Sequence, residues 1–258
     1  MTWSGCWQCC GKTRKMSDWI VPEWPVPRSV RALSTTRTGG VSEGRWRSLN
    51  LGDHVEDDPA AVSENRRILL HEANLPSEPF WLRQVHGCAV ADTDADEALC
   101  EADACWSDRP GQVCAVMTAD CLPVLFANRS GTQVAAAHAG WRGLAGGVLE
   151  QTLDHFADAP GEILAWLGPA IGPRAFEVGD EVRDAFVSLH ADSQRAFTAS
   201  QPGHWQADIY SLARTHLAAA GVTQVHGGEF CTFSDSERFF SYRRDGVTGR
   251  MATLIWLE

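Results

Sequence analysis

Residues 118–147 contain the sequence pattern that most restricts the fold. Two short apolar segments, 122–127 and 134–137, are separated by Asn128-Arg129-Ser130-Gly131, a run of turn-forming residues. This pattern predicts a β-hairpin. Because both faces of each strand are apolar, we expect the hairpin to lie in a sheet that is covered on both sides.

Two potential metal ligands lie on this predicted hairpin. If its loop is centred between Arg129 and Ser130, Cys121 lies directly opposite His138. Directly opposed side chains of an antiparallel pair have Cβ atoms roughly 4.5–5.5 Å apart, so a thiolate and an imidazole there can bind one metal ion. Alternatively, the two residues are a buried cysteine beside a hydrogen-bonded core histidine.

His86 is the candidate for a third ligand. It ends the strand-like segment 80–86 and precedes Gly87, where the backbone can turn away from the strand. Three protein ligands with a fourth position left to water are typical of a catalytic zinc site. The periodicity of the sequence does not establish that His86 meets Cys121 and His138.

Composition limits the class of protein. The chain has 258 residues and no low-complexity linker, which favours a single domain. A net charge of −11 argues against nucleic acid or an anionic membrane as the main partner. Nine cysteines without framework spacing, no long apolar run and no signal-peptide core predict a cytoplasmic protein. The sequence leaves open whether it is a monomer or a homodimer.

The first fifteen residues differ from the rest of the chain. Residues 1–15 do not fit the pattern of strands and helices that follows, so we expect a disordered extension there. We expect residues 16–258 to form the single catalytic domain. Cys6-x-x-Cys9 has the spacing of half a zinc knuckle, but no second pair follows at the required distance.

The remaining segments predict the fold class. Strands and helices follow one another in a mixed order rather than in strict alternation, which indicates an α+β domain with mixed sheets covered by helices. The predicted strands are 29–36, 113–117, 163–167, 222–226, 229–233 and 251–256, and the predicted helices are 58–74, 140–157, 178–190 and 208–220.

Three places are candidates for binding an anion. Arg37 follows a strand and precedes two glycines, and the adjacent Arg243 and Arg244 follow an aromatic pair at 239–240. Any of these guanidinium groups can hold a phosphate or carboxylate. The helix start at Gly140, with Arg142, offers free N–H groups. The alternatives are an exposed turn arginine, a surface ion-pair cluster and a helix-surface arginine.

Two acidic residues are weaker candidates. Asp103 lies in the acidic stretch 91–104, which we assign to a loop, and a solvated charge is the simpler interpretation of it. Asp120 adjoins Cys121, but in a strand its side chain points away from that of its neighbour.

From Met16 onward the chain resembles the family described as laccase-domain or polyphenol oxidase proteins, purine nucleoside phosphorylases and the bacterial peptidoglycan editing factor. The motifs that carry the resemblance are 34–40 (Ser-Thr-Thr-Arg-Thr-Gly-Gly), 48–52 (Ser-Leu-Asn-Leu-Gly), 84–87 (Gln-Val-His-Gly), 118–123 (Thr-Ala-Asp-Cys-Leu-Pro), 137–143 (Ala-His-Ala-Gly-Trp-Arg-Gly), 167–173 (Leu-Gly-Pro-Ala-Ile-Gly-Pro) and 241–245 (Ser-Tyr-Arg-Arg-Asp).

The resemblance implies both a fold and a ligand set. It implies a four-layer α/β/β/α sandwich with mixed sheets, which agrees with strands that are apolar on both faces. It also implies that His86, Cys121 and His138 are zinc ligands, and so supplies the third ligand that spacing alone does not.

The resemblance further implies a zinc-dependent enzyme that phosphorolyses adenosine, inosine and methylthioadenosine, with adenosine deaminase activity as a second reaction. His86, Cys121 and His138 are then catalytic. Arg37 and Arg244 are the expected catalytic and phosphate-positioning arginines. Asn50 and Gly140 join them as substrate-binding candidates, for which our grounds are the motifs 48–52 and 137–143.

Two other enzymatic functions use the same motif. An amidase that removes L-serine from mis-made UDP-N-acetylmuramoyl-serine needs the same three ligands for zinc-activated water. A copper polyphenol oxidase is the third hypothesis, since two histidines and a cysteine can also bind copper. A multicopper centre, however, needs more histidines than the sequence places near these three.

Overall fold

The computed structural model describes residues 18–258, so the predictions for residues 1–15 and for the Cys6 and Cys9 pair lie outside the described residues. The described chain contains twelve strands: β1 (Val30–Ser34), β2 (Val90–Asp92), β3 (Ala104–Ser107), β4 (Val113–Thr118), β5 (Leu122–Asn128), β6 (Val134–Ala139), β7 (Ile163–Leu167), β8 (Glu177–Gly179), β9 (Phe197–Gln201), β10 (His204–Ala207), β11 (Gln224–Gly227) and β12 (Met251–Leu257).

Six α-helices accompany the strands within residues 18–258: α1 (Pro59–Glu72), α2 (Trp141–Gly146), α3 (Val148–Leu153), α4 (Asp180–Leu189), α5 (Ile209–Ala219) and α6 (Tyr242–Asp245). Short 3-10 helices lie at Gly44–Trp46, Pro160–Glu162 and Ala191–Ala196. As predicted, Asp58 is the N-cap of α1, and its side chain accepts a hydrogen bond from the amide of Ala60. Within this part of the chain, no helix combines the length and the apolar character needed to cross a membrane.

The strands form three sheets. The largest has six strands in the order β11-β7-β5-β6-β3-β2, with the predicted hairpin, β5 and β6, at its centre. Its outer pairs, β7 with β11 and β2 with β3, are parallel, and the pairs between them are antiparallel. A second sheet has the order β1-β12-β4, and a small third sheet has the order β8-β10-β9.

Alternation along β5 explains how the layers stack. Val124 and Phe126 point into a core shared with α3 and α5, whereas Leu125 belongs to a core shared with β4 and β12 of the second sheet. Both faces of β5 are therefore covered, as the unbroken apolar run predicts.

The outer face of the second sheet is covered by α1. Ile68 and Leu69 of this helix are buried against Leu254 and Ala115. Burial of one such aliphatic side chain stabilises the fold by about 1.5–3 kcal/mol. The order of layers is helices, six-stranded sheet, three-stranded sheet and helix, which confirms the predicted four-layer α+β fold.

The register of the central hairpin differs from the prediction. Pro123, not Cys121, lies opposite His138. The ladder is shifted by two residues, and a shift by an even number leaves each side chain on its predicted face. Cys121 is therefore on the face of His138 but lies diagonally to it, just before β5 begins.

Asn128 causes this shift. Its side-chain oxygen accepts hydrogen bonds from the amides of Thr132 and Gln133, and its carbonyl oxygen accepts one from the amide of Gly131. These contacts bring Thr132 into the loop and move its centre to lie between Ser130 and Gly131. An Asx-type contact of this kind competes with the ladder and is not visible in the apolar pattern.

Other element predictions need correction. The helix predicted for 140–157 is broken at Gly147, which has a φ of 95° and separates α2 from α3. The segment 80–86 makes only isolated bridges at Phe80 and Arg83, and 229–233 is not a strand. The bridge partner of 80–86 changes from Cys114 at Phe80 to Glu101 at Arg83, so no single strand pairs with the whole segment.

Candidate metal centre and the adjoining cavity

The side chains of His86, Cys121 and His138 meet at the end of the central hairpin. One donor atom from each lies within 4.8 Å of the others. The Nε2 atom of His86 is 3.9 Å from the Sγ atom of Cys121, and the two imidazole rings are 4.9 Å apart between centroids. The structure thus brings together the three predicted ligands.

Gly140 provides the space for this group. A Cβ atom at residue 140 would lie 3.0 Å from both the Sγ atom of Cys121 and the Cδ2 atom of His86. Any larger residue would push the ligands apart. Gly140 was also predicted to bind an anion at the start of a helix, but α2 is only six residues long. The close approach of the two ligands is therefore the clearer role of Gly140.

Asp103 anchors the segment that carries His86. Its carboxylate accepts hydrogen bonds from the amides of Val85, His86 and Gly87 at 3.1, 2.9 and 2.6 Å. His86 itself has a φ of 61°, a left-handed conformation that is uncommon outside glycine. The carboxylate therefore holds the backbone turn that directs the His86 ring toward Cys121.

Asp103 also fixes the ring of His138. The Nδ1–H group of His138 donates to Oδ1 of Asp103 at 2.8 Å, which leaves Nε2 for a metal ion. Asp103 is completely buried, so the prediction of a solvated charge is wrong. Its neighbours Ala102, Ala104 and Cys105 are apolar. An acidic residue among apolar neighbours is the sequence signal that could have indicated a buried carboxylate.

The two hairpin ligands differ in protonation. Cys121 is already in its metal-binding form at neutral pH, whereas His138 is protonated in the metal-free protein and must release a proton when a metal ion binds. Burial raises the pKa of the Cys121 thiol, but the charge of His138 and hydrogen bonds to both histidines outweigh it and lower the pKa to about 6. Burial lowers the pKa of His138, whereas the Cys121 thiolate and Asp103 raise it to about 9. A thiolate is the form of cysteine that binds metals.

The donor set fits a transition-metal ion. One thiolate and two imidazoles are ligands of zinc and also of copper. The hydrogen bond from His138 to a buried carboxylate is the outer contact that metal-bound histidines usually have. The residues present therefore fit a single ion with an open side.

A cavity of about 500 Å³ opens beside the three ligands, within the size range of small-molecule sites. Three arginines line it, Arg142, Arg243 and Arg250. The aromatic residues Trp141, Phe176 and Tyr242 also contribute to its wall. The cavity can hold a flat ring system together with an anionic group.

Arg250 lies between the metal ligands and a buried asparagine. Its Nη1 group donates to the carbonyl oxygens of Thr248 and Gly249, and its backbone amide donates to Oδ1 of Asn50. Asn50 is fully buried and does not line the cavity. It therefore orients Arg250 rather than forming part of the cavity wall itself.

Arg37 and Arg244 do not join this cavity either. Arg37 donates to the carbonyl oxygens of Arg47 and Ser236 and lies over the ring of Phe240. The structure does not bring these two predicted phosphate-positioning arginines to the cavity wall. Their guanidinium groups instead bind carbonyl oxygens that close nearby loops.

Arg244 makes more hydrogen bonds than Arg37. It donates to the carbonyl oxygens of Thr232, Phe233 and Phe239 and also pairs with Asp245. Hydrogen bonds from a charged donor each contribute about 1.5–3 kcal/mol. These contacts tie α6 to the preceding loop.

Replacing Arg244 with alanine is therefore expected to destabilise the protein by about 2–4 kcal/mol, since three carbonyl oxygens lose a charged donor. Urea denaturation measures this change, and Arg195→Ala, which removes an exposed arginine that pairs with Asp192, is the control. If Arg244→Ala kept parental stability, these contacts would not hold the loop, and Arg244 would remain free for the substrate-binding role predicted from the sequence.

Asp120 connects the start of β5 with the C-terminal loops. Its carboxylate accepts hydrogen bonds from the hydroxyls of Thr232 and Ser241 and from the amide of Arg243. Asp120 has a φ of 93°, so the chain turns sharply just before Cys121. These contacts help to place both Cys121 and Arg243 at the cavity.

Sequence reasoning missed several residues of the cavity, among them His54 and Arg250. Burial lowers the pKa of His54, and the nearby charge of Arg250 lowers it further. His54 follows the motif 48–52 by only two residues, and Arg250 precedes the last strand. Their distance from the hairpin in sequence gave no indication that they approach it.

The geometry can be compared with known proteins. Residues 31–258 match the family model described as multi-copper polyphenol oxidoreductase laccase. A relative from Pseudomonas aeruginosa, named purine nucleoside phosphorylase, is 61% identical over 244 residues, which cover 94% of this chain and 100% of the relative. A relative from Escherichia coli, also named purine nucleoside phosphorylase, is 60% identical over 243 residues, which cover 94% of this chain and 100% of the relative.

A solved structure agrees with these matches. The crystal structure of a Neisseria meningitidis protein has a TM-score of 0.90 and 51% sequence identity, and the match covers 93% of this chain and 99% of that chain. The profile match and the full-length relatives point to one group of proteins. The chain belongs to the laccase-like family described as multi-copper polyphenol oxidoreductase laccase, which includes relatives named purine nucleoside phosphorylase.

Proposed function

We propose that the protein is a zinc-dependent purine nucleoside phosphorylase that accepts adenosine, inosine and methylthioadenosine. The observation that carries the proposal is a cavity in which three arginines and three aromatic residues surround the His86, Cys121 and His138 group. The names of full-length relatives at about 60% identity support the same activity.

The arginines are suited to bind phosphate. Arg250 uses Nη1 for two backbone carbonyl oxygens, and the other edge of its guanidinium has no hydrogen-bond partner among residues 18–258. Arg243 likewise donates from Nη1 to the carbonyl oxygens of Ala175 and Glu177. Both side chains are held by these contacts, so a phosphate ion meets donors that are already oriented.

The purine fits the aromatic part of the wall. Tyr242 is 60% exposed, and Trp141 and Phe176 lie in the same cavity. Flat rings stack favourably on such side chains. His54, whose pKa is lowered by burial and by Arg250, is largely neutral at pH 7 and is available to exchange a proton with the leaving base.

The three ligands suit zinc, and adenosine deamination is the second activity that we propose. When bound there, Zn²⁺ acts as a Lewis acid and makes water a nucleophile near neutral pH. In both reactions Asp103 keeps Nε2 of His138 free for the ion, and Gly140 keeps room beside Cys121.

Assay of the zinc-loaded protein tests the proposal. We expect free base and ribose 1-phosphate from adenosine and inosine when phosphate is present. Arg250→Ala is expected to raise the Michaelis constant for phosphate more than about tenfold, because a charged hydrogen bond contributes about 1.5–3 kcal/mol. Arg31→Ala, which removes an exposed arginine paired with Glu258, is the matched control.

The same preparation distinguishes the amidase hypothesis. UDP-N-acetylmuramoyl-serine is supplied in a parallel reaction, and release of serine is measured. Serine release without any phosphate-dependent release of purine base would replace the phosphorylase by the amidase.

A further inference from the structure

A second group of potential metal ligands lies among the helices. Glu150 on α3, His190 directly after α4 and His216 on α5 each offer a donor atom within 4.8 Å of the others. We call these three residues the His190 cluster. None of them lines the cavity beside Cys121.

Two donor atoms in the His190 cluster have unused bonding capacity. His216 is only 2% exposed, and its Nδ1 atom is 2.8 Å from Oε1 of Glu150. The Nε2 atom of His216 and the Oε2 atom of Glu150 are both buried without a hydrogen-bond partner among residues 18–258. Buried polar atoms nearly always have a bonding partner. Two unpaired buried polar atoms on adjacent side chains therefore indicate that a ligand binds both side chains.

His190 connects this buried pair with the surface. Its ring is 4.8 Å from that of His216 between centroids, at an interplanar angle of 87°. His190 also lines a surface cavity of about 810 Å³. An ion in that cavity can therefore reach His190 first and then the buried donors.

The chemistry of the donors limits the ligand. Two imidazoles and one carboxylate form a donor set that zinc and cobalt accept. No thiolate is available in the His190 cluster, which disfavours Cu(I), and alkaline-earth ions prefer oxygen donors alone. Burial raises the pKa of Glu150, but the hydrogen bond from His216 lowers it below its ordinary value, so the carboxylate is ionised.

We propose that Glu150, His190 and His216 form a second metal site, which binds a divalent transition-metal ion such as Zn²⁺ or Co²⁺. The ion joins α3, the end of α4 and α5 beneath the surface cavity. It satisfies buried donor atoms that the protein alone leaves unpaired. The site is independent of the reaction at Cys121 and does not require the proposed phosphorylase activity.

Titration of the metal-free protein with Co²⁺ tests the second site. Cobalt bound to a thiolate gives a sulfur-to-metal absorption band in the near ultraviolet, whereas bound nitrogen and oxygen donors give only ligand-field bands in the visible range. In the double variant His86→Ala, Cys121→Ala we expect one Co²⁺ ion per chain, with ligand-field bands and no sulfur band. Adding His190→Gln should abolish this remaining binding.

The controls separate ligand loss from unfolding. His71→Gln, which replaces an exposed histidine at the end of α1, should leave Co²⁺ binding to the double variant unchanged. Because His190 is only partly buried, His190→Gln should fold, and circular dichroism verifies this. In thermal melts Co²⁺ should raise the melting temperature of the double variant but not of the His190→Gln form.

Two results would overturn the second site. One is that the double variant binds no Co²⁺ at all, and the other is that the folded His190→Gln form binds as much Co²⁺ as its parent. In either case Glu150 and His216 are a buried hydrogen-bonded pair only.

Discussion

Replacing Cys121 with alanine is expected to remove the bound metal ion and to lower phosphorolysis by about a thousandfold or more. A metal ion contributes several kcal/mol of transition-state stabilisation, and each 1.36 kcal/mol corresponds to about a factor of ten in rate. Cys121 is the only cysteine among the three ligands, so its loss leaves two imidazoles and an incomplete donor set.

Stability should respond differently from activity in this variant. Cys121 lies before β5 rather than within it, and its side chain packs against Gly140 and the ring of His86. Removing one sulfur atom at this partly exposed position costs little packing energy. The melting temperature of the metal-free variant should therefore stay close to that of the metal-free parent protein, whereas added zinc should stabilise only the parent protein.

Cys100→Ala is the matched control, since Cys100 is also partly buried but packs between the two sheets. Metal content is measured on protein prepared without added copper, and turnover is measured on adenosine and inosine with phosphate. If Cys121→Ala retained stoichiometric metal and full turnover, the centre would not be catalytic. Stoichiometric copper in the parent protein would overturn the assignment of zinc.

The central hairpin shows how far the sequence can predict this site. The apolar runs place β5 and β6 correctly, and the parity of the ladder puts Cys121 and His138 on one face. The register depends on Asn128, whose side chain binds the amides of Thr132 and Gln133. A hydrophobic pattern has no information on such a local hydrogen bond, so the predicted pairing was shifted by two residues.

The arginines illustrate a second limit. In the sequence, Arg37 and Arg244 lie in motifs at the ends of predicted strands or helices, whereas Arg250 lies in no such motif. In the structure, Arg250 lines the cavity and the other two arginines do not. An arginine that closes loops through carbonyl oxygens and one that faces a ligand look alike in sequence. Only the positions of their acceptors in three dimensions distinguish them.

Asp103→Asn is expected to destabilise the metal-free protein by about 3–5 kcal/mol, the usual cost of removing one partner of a buried ion pair. Asparagine has the same shape as aspartate, but its NH₂ group would face backbone amide donors that bind a carboxylate oxygen in the parent protein. The amides of Val85 and Gly87 both depend on Oδ2 of Asp103. An asparagine that keeps one acceptor cannot satisfy all of these donors together with His138.

Metal affinity should fall in Asp103→Asn by about 10–100-fold, the usual effect of losing an outer partner of a metal-bound histidine. Zinc competition with a chelator measures the affinity, and urea denaturation measures the stability. Asp108→Asn, an exposed aspartate close in sequence, should change neither quantity. If Asp103→Asn kept parental stability and affinity, the carboxylate would be dispensable to the centre.

The pH dependence of stability gives an independent measure of the same carboxylate. Burial raises the pKa of Asp103, but hydrogen bonds from His138 and from the amides of Gly87 and Val85 lower it below its ordinary value. A lowered pKa means that the carboxylate stabilises the fold above the unfolded value, about 3.9, and that this contribution is lost as the pH falls through the folded-state pKa. In metal-free Asp103→Asn, this part of the acid-dependent loss of stability should be absent, so the stability curves of the parent and the variant should converge as the pH falls below about 4.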